Sequence, residues 1–291
     1  MNTSICRTAL YMPAVNIRAL AKGPKLGADA IVIDLEDSVA AAAKPQARQN
    51  AIDALLHNDY GHRLRVLRVN DVSSEWFDAD FGVLRHVKPD AILVPKVESA
   101  QAIQHVHKRL DEADRGGRVK MWAMLETTKA LVNAASIAHI SEQCHRFETV
   151  CVGNNDLARE AGMRVTSDRS LLLPWLMQFV LVAKAYRLNI LDGVYNDFAD
   201  LDGFGFECEQ GASMGMSGKT LIHPSQIDIA NQAYSPTAAD IEQAQQVVNA
   251  FASAADPQVG VLQIEGRMVE RLHLDMAHQT MAIAARIKDL S

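Results

Sequence analysis

The sequence predicts an α/β protein, a (β/α)8 TIM barrel of parallel strands followed by a C-terminal helical extension. Three observations predict it. Eight short runs rich in Val, Ile and Leu recur with little polar alternation, the pattern of strands buried on both faces. Helix-like segments separate them, and parallel strands need such crossovers. Charged residues fall at the C-terminal end of nearly every run, and in a barrel those ends converge on the face that carries the chemistry.

In chain order, the first run is 5–12. The second, 30–35, contains Asp34 and is followed by Glu36 and Asp37; the third, 64–69, ends on Arg68 and its neighbour. Run 91–95 precedes Lys96 and Glu98, with a helix expected over 99–113. Run 120–125 precedes Glu126, with a helix over 129–143. Run 149–152 leads to Asp156, and a helix over 169–186 connects it to run 188–194, which contains Asp192. The eighth run is 214–222. The chain then continues beyond what one closing helix requires. A helix is expected over 238–254. The stretch 254–266, with Pro257, Gly260 and Gly266, reads as a linker or short hairpin. A last helix over 267–289 carries Met268, Val269, Leu272, Met276 and Met281. The expected division is a barrel over 1–235 and an extension over 236–291, packed on its own barrel or on a neighbouring subunit.

Composition bounds the function. The 291 residues are 48% hydrophobic and 22% charged, which excludes a disordered or low-complexity chain. Lys and Arg number 29 against 35 Asp and Glu, a formal charge of −6. That sign argues against a protein whose main business is coating nucleic acid or anionic membrane. Cys6, Cys144, Cys151 and Cys208 form no CxxC pair and read as reduced core thiols. The N-terminus has no signal-peptide pattern and no apolar run approaches a bilayer span. The expectation is a soluble cytoplasmic protein.

Two motifs mislead. Ser213-Met-Gly-Met-Ser-Gly-Lys-Thr220 approaches a phosphate-binding P-loop, but Ser213 stands at the first glycine and Pro224 bars the helix that must follow. Gly203-Phe-Gly205 lacks the third glycine of a dinucleotide site. His105 and His107 read as a solvated helix face.

The chemistry concentrates on Glu126, in Met-Leu-Glu-Thr-Thr, and Asp156, in Val-Gly-Asn-Asn-Asp-Leu-Ala. Two carboxylates on adjacent strand ends, completed by water, suit Mg²⁺. Each can equally cap the helix that follows it. Arg68 can clamp a carboxylate through two parallel hydrogen bonds, or pair with Glu36 or Asp37 across the barrel. Arg7, Arg18, Lys22 and Lys25 concentrate positive charge near the N-terminus, as a phosphate receptor or as a solvated surface.

Eight segments occur in an order that marks one family: Arg7-Thr-Ala-Leu-Tyr-Met-Pro13, Ile33-Asp-Leu-Glu-Asp-Ser-Val39, Lys44-Pro-Gln-Ala-Arg48, Leu67-Arg-Val-Asn70, Val94-Pro-Lys-Val-Glu98, Leu125-Glu-Thr127, Val152-Gly-Asn-Asn-Asp-Leu157 and Gly218-Lys-Thr-Leu-Ile-His-Pro-Ser-Gln226. Over roughly residues 5 to 230 the chain resembles the citrate lyase β-subunit-like proteins of the HpcH/HpaI aldolase superfamily. The resemblance implies a Mg²⁺-dependent barrel that makes or breaks a carbon–carbon bond next to an acyl thioester. It implies Glu126 and Asp156 as metal ligands and Arg68 as binder of the 2-oxoacid carboxylate. It further implies Arg7 and its basic neighbours as coenzyme A phosphate contacts, with Asp37 counted among the catalytic acids. In members of the malyl-CoA and citramalyl-CoA lyase type, a carboxylate from a neighbouring subunit's C-terminal segment completes the site. Here Glu270 stands where aspartate is usual and Leu272 where proline is usual. The implied protein is a homo-oligomer, trimer or hexamer, acting on an acyl-CoA thioester and a 2-oxoacid, with citramalyl-CoA favoured. The rival readings are malyl-CoA lyase, a citrate lyase β subunit using an acyl-carrier-protein thioester in a multi-subunit complex, a simple 2-oxoacid aldolase, and a silent scaffold barrel.

Overall fold

The computed structural model describes residues 5–254, 256 and 258–290; Pro257 of the expected linker lies outside the described residues. Eight parallel strands close into a barrel in chain order, as the sequence predicts. The elements are β1 (Thr8–Pro13), α1 (Ile17–Lys22), β2 (Ala30–Asp34), α2 (Lys44–His57), β3 (Leu64–Arg68), α3 (Phe77–Phe81), β4 (Ala91–Val94), α4 (Ala100–Ala113), β5 (Lys120–Leu125), α5 (Thr128–His139), β6 (Phe147–Val152), α6 (Asn154–Glu160), α7 (Leu173–Ala185), β7 (Asn189–Asp192), α8 (Leu201–Ser213), β8 (Gly218–Leu221) and α9 (Ile227–Ala233). Then follow α10 (Ala238–Ala252), β9 (Val261–Ile264), β10 (Arg267–Glu270) and α11 (Arg271–Asp289).

Alternation along the strands separates two layers. Ala9, Ala30, Val32, Val66, Ala91, Leu93, Trp122, Met124, Cys151 and Leu191 form a cluster of their own, the barrel interior. Trp122 fills its middle, and three alanines leave the room it takes. The other strand face packs on the helices, where Leu10, Ile31, Ile33, Leu67, Ile92 and Ile190 are buried. The helices start where their caps dictate. Ser99 accepts from the Ala102 N–H and Thr127 from the Ala130 N–H, satisfying donors that the first turn leaves open. Closure depends on a glycine: a Cβ at Gly218 would stand 2.2 Å from the Cys6 carbonyl oxygen, so β8 meets the start of β1 only without a side chain.

Some expected boundaries move. Residues 214–217 are not strand: α8 runs to Ser213, and the chain turns through Gly215 at φ 91° before β8. The helix expected from 169 starts at Leu173, because Arg169 sits at φ 44°, outside helical backbone. The last helix begins at Arg271 rather than 267; residues 267–270 pair antiparallel with β9, so the glycine-rich stretch is a hairpin with Gly266 at φ 78° in its turn. The chain divides into two compact units, Met1–Tyr234 and Ser235–Ser291. The second has its own small core of Ala244, Val247, Phe251, Val269 and Ala277. Among the described residues no helix is long and apolar enough to cross a membrane.

Candidate active site

A cavity of about 390 Å³ opens at the C-terminal ends of the strands. Asp34, Asp37, Glu126 and Asp156 line it against one cation, Arg68, among the described residues. Tyr11, Met124, Val152, Val194 and Ile222 supply its apolar walls. So strong an excess of acid in one concavity attracts a cation.

Glu126 follows β5 directly and is 2% exposed. Its Oε1 accepts from the Lys96 main-chain N–H at 2.7 Å, and that N–H points inward because Lys96 takes φ 51°. Left-handed backbone is costly for lysine, and such strain persists where the surroundings enforce it. On its other side the Glu126 side chain lies against the bare Cα of Gly153, where a Cβ would come within 2.3 Å. Burial pushes the Glu126 carboxyl up to about 7; Glu36 and Asp156 push the same way, while the Lys96 N–H and Arg68 oppose. Asp156 lies in the first turn of α6, with its side chain 25% exposed, and accepts from Arg159 Nη2 at 2.6 Å.

Arg68 ends β3 beside Asp34 in the β2–β3 register. Its Nε and Nη2 each donate to Asp34 at 2.7 Å, and Nη1 lies 3.0 Å from Glu36 Oε2. The guanidinium also stacks 4.8 Å over the Tyr11 ring. Burial works to raise the Asp34 carboxyl, but the Arg68 hydrogen bonds and charge, with Ser38, carry it below the usual range. Glu36 goes the other way: its burial outweighs Arg68 and Lys96, although Lys96 Nζ approaches to 2.5 Å. Asp37 is largely exposed, 3.7 Å from Arg68 Nη1 and 3.9 Å from Lys96 Nζ. The fork expected to clamp a ligand carboxylate thus already grips Asp34, and what faces the cavity is the remaining N–H capacity of Nη1 and Nη2.

The other expected site residues lie elsewhere. Arg7 precedes β1, at the N-terminal end of the barrel, where its main-chain N–H and Nε donate to Asp29 Oδ2 at 2.8 Å and Nη2 to Oδ1 at 2.7 Å. Its guanidinium is thus engaged by Asp29 at the opposite end of β1 from the cavity, and Arg7 does not line that cavity. Arg18, Lys22 and Lys25 are exposed on α1 and the turn after it, beyond the C-terminal end of β1. Glu270, in the second unit, is the N-cap of α11: its side chain accepts from the third main-chain N–H of the helix, and its own N–H donates to His273 Nδ1 at 3.0 Å. Lys219 of the P-loop look-alike is fully buried on β8, donating to Asp192 and Glu207. Sequence reasoning missed Asn154 altogether, because an amide without a partner leaves no trace in spacing or pattern. It named Lys96 only as a strand-end charge; its left-handed backbone is equally invisible.

The donor set fits Mg²⁺. Glu126 and Asp156 offer hard oxygens in one cavity, and the raised Glu126 carboxyl marks a buried acid short of positive charge. No group of three or more His, Cys, Asp or Glu is arranged around a common point among the described residues, so water and ligand oxygens would complete the shell.

The sequence profile of the HpcH/HpaI aldolase/citrate lyase family matches residues 7–224. The chain belongs to that family. It is an enzyme of this aldolase and lyase group, and the resemblance read from its eight segments holds. Among family relatives, a (3S)-malyl-CoA thioesterase of Cereibacter sphaeroides is 43% identical over 97% of this chain and 95% of its own. The mitochondrial citramalyl-CoA lyase of Homo sapiens is 30% identical over 97% and 86%. Among solved structures of the family, CitE from Mycobacterium tuberculosis in complex with magnesium, acetoacetate and coenzyme A is 27% identical, with a TM-score of 0.77 over 97% of this chain and 99% of that one.

Proposed function

We propose that this protein is a Mg²⁺-dependent acyl-CoA lyase. It would split a 3-hydroxyacyl-CoA that bears a carboxylate on its hydroxyl carbon into acetyl-CoA and a 2-oxoacid. The observation that carries the reading is one cavity lined by Glu126, Asp156 and Arg68 at the C-terminal mouth of a barrel. Mg²⁺ held by Glu126 and Asp156 would supply Lewis-acid stabilisation of the substrate's hydroxyl and carboxylate oxygens. Arg68, fixed by Asp34 and stacked on Tyr11, turns its remaining N–H groups to that carboxylate and so aligns the bond to be broken. The hydroxyl proton passes to solvent water, the bond between the thioester α-carbon and the hydroxyl carbon breaks, its electron pair passes to the thioester enolate, and a proton is delivered to the α-carbon. Glu270 of a neighbouring copy in a homo-oligomer is the group for that delivery, a role general acids typically enhance by about 10²–10⁴-fold. Arg18, Lys22 and Lys25, exposed on and just after α1, are the cations we assign to the coenzyme phosphates in this reading.

Citramalyl-CoA, giving pyruvate, is the favoured member of the class, supported by the human relative. The 43% identity to a malyl-CoA thioesterase favours a second reading, in which the same anchoring presents malyl-CoA to water and the thioester hydrolyses. One panel separates them. Purified protein with Mg²⁺ receives citramalyl-CoA and malyl-CoA, and acetyl-CoA, pyruvate, glyoxylate, malate and free CoA are quantified. Pyruvate or glyoxylate in step with acetyl-CoA establishes the lyase; malate in step with free CoA establishes the hydrolase; no turnover of either, or full turnover in excess EDTA, overturns the proposal.

A further inference from the structure

Asn154, the first residue of α6, lines the cavity between Glu126 and Asp156 on one side and Val194 and Thr220 on the other. It is 8% exposed, and its Oδ1 is buried without a hydrogen-bond partner. No hydrogen bond to either atom of its carboxamide is made among the described residues. The carboxamide lies flat on the bare Cα of Gly193, where a Cβ would stand 2.6 Å from its Cγ and Nδ2. Two glycines thus shape this wall: Gly153 admits Glu126, and Gly193 admits Asn154. A buried, unbonded amide is unfavourable in isolation and is tolerated where a ligand completes it.

The surroundings say which end of the amide matters. Acceptors abound, with four carboxylates around the cavity, whereas most side-chain donors already hold a protein partner, and the N–H groups Arg68 has left are assigned to the substrate carboxylate. The Ser38 hydroxyl donates to Asp34, the Thr220 hydroxyl to the Asp192 carbonyl, and the amides of Asn155 and Asn196 bond each other reciprocally at 3.0 and 2.8 Å. Arg68 is held by Asp34, and Lys96 Nζ by Glu36. Among the described lining residues, Asn154 is the buried amide bonded at neither end, so a half-turn of χ2 presents Nδ2 at no loss.

We propose that Asn154 Nδ2 donates to the carbonyl oxygen of the substrate thioester. This inference rests on the acyl-thioester reading above but not on its choice between reactions. When the carbon–carbon bond breaks, the thioester carbonyl becomes an enolate and the electron pair comes to rest on its oxygen. When water adds instead, the same oxygen carries the charge of the tetrahedral intermediate before thiolate leaves. A fixed donor in a confined site stabilises either charge, and removing one such donor typically costs about 10²–10³-fold in rate.

Asn154→Ala and the isosteric Asn154→Asp, which cannot donate once ionised, test the assignment on whichever of malyl-CoA and citramalyl-CoA the parent enzyme turns over. For Asn154→Ala, kcat and kcat/KM should fall together by about 10²–10³-fold, the mark of an interaction made in the transition state. Asn154→Asp should fall at least as far, while in Asn154→Ala the melting temperature, Mg²⁺ affinity and affinity for free 2-oxoacid match the parent. Either variant within about threefold of the parent in kcat/KM overturns the assignment, as does a loss confined to 2-oxoacid affinity or metal affinity. Should Asn154→Ala not fold, the volume-conserving Asp variant decides alone. A parent enzyme inactive on both thioesters is a different result, because it removes the functional reading on which this one stands.

Discussion

Replacing Glu126 by glutamine should stabilise the metal-free protein while abolishing the Mg²⁺ binding proposed for it. A carboxyl displaced from its usual 4.5 to about 7 corresponds to about 3 kcal/mol between the two protonation states. The folded protein holds the proton more tightly than the unfolded chain, so this contribution to stability is fully present below pH 4.5. It declines as pH rises towards 7 and is gone above it. Glutamine keeps the shape, still accepts from the Lys96 N–H and never ionises, so it escapes that decline. Chemical denaturation of both proteins in EDTA, from pH 5 to pH 8.5, should give curves that diverge by about 1.4 kcal/mol per pH unit and run parallel above pH 7, with the variant about 3 kcal/mol more stable. Subtracting the two curves removes every other titrating group far from the site. Added Mg²⁺ should stabilise the parent and leave the variant unmoved. A variant no more stable than the parent at pH 8.5, or a difference independent of pH, would refute the reasoning.

Mg²⁺ binding near pH 6 should release close to one proton, measurable by calorimetry in buffers of different ionisation enthalpy, because the metal must displace the proton on Glu126. Arg68→Lys keeps the charge but loses the planar fork on Asp34; it should raise the 2-oxoacid requirement in the condensation direction, and unchanged kinetics would make Arg68 purely structural. Gly193→Ala forces a Cβ into the Asn154 amide and should lower kcat/KM by at least tenfold with Mg²⁺ affinity kept, an outcome that parent-like activity would contradict. Glu270→Gln should cut turnover by about 10²–10⁴-fold, and hybrid oligomers formed with Arg68→Ala should recover part of it; no recovery after proven subunit exchange would leave Glu270 as the cap of α11 and nothing more.

The barrel was legible because burial on both strand faces writes itself into the sequence as unbroken Val, Ile and Leu, and because strand ends carry the polar residues. Glu126 and Asp156 stood out for the same reason, each falling just beyond an apolar run, although each could equally have been a cap of the helix after it. Boundaries were less legible. Arg169 and Lys96 take left-handed backbone that no propensity anticipates, and both are held by partners distant in sequence: Arg169 by Asp192, Lys96 by Glu36. Arg68 was read as a carboxylate clamp or a partner of Glu36 or Asp37; it does approach both, but Asp34, which the parallel register sets beside it, takes two of its N–H groups and was not foreseen. Nearness in sequence did not make the basic residues one cluster in space: β1 carries the chain from one end of the barrel to the other between Arg7 and Arg18.

Lys96 joins two acids at once, Glu126 through its main chain and Glu36 through its ammonium, and Glu36 in turn meets Arg68. The ends of β2, β3, β4 and β5 are therefore cross-braced by charge. Across the cavity, the turns after β6 and β7 are joined at the rim by the neutral amide pair of Asn155 and Asn196. Beneath that rim the buried Arg169, Asp192, Lys219 and Glu207 tie β7 and β8 together by charge, so on this side only the rim rests on neutral amides. Amide hydrogen exchange should therefore open the rim segments 153–156 and 194–200 before the strand ends beneath them.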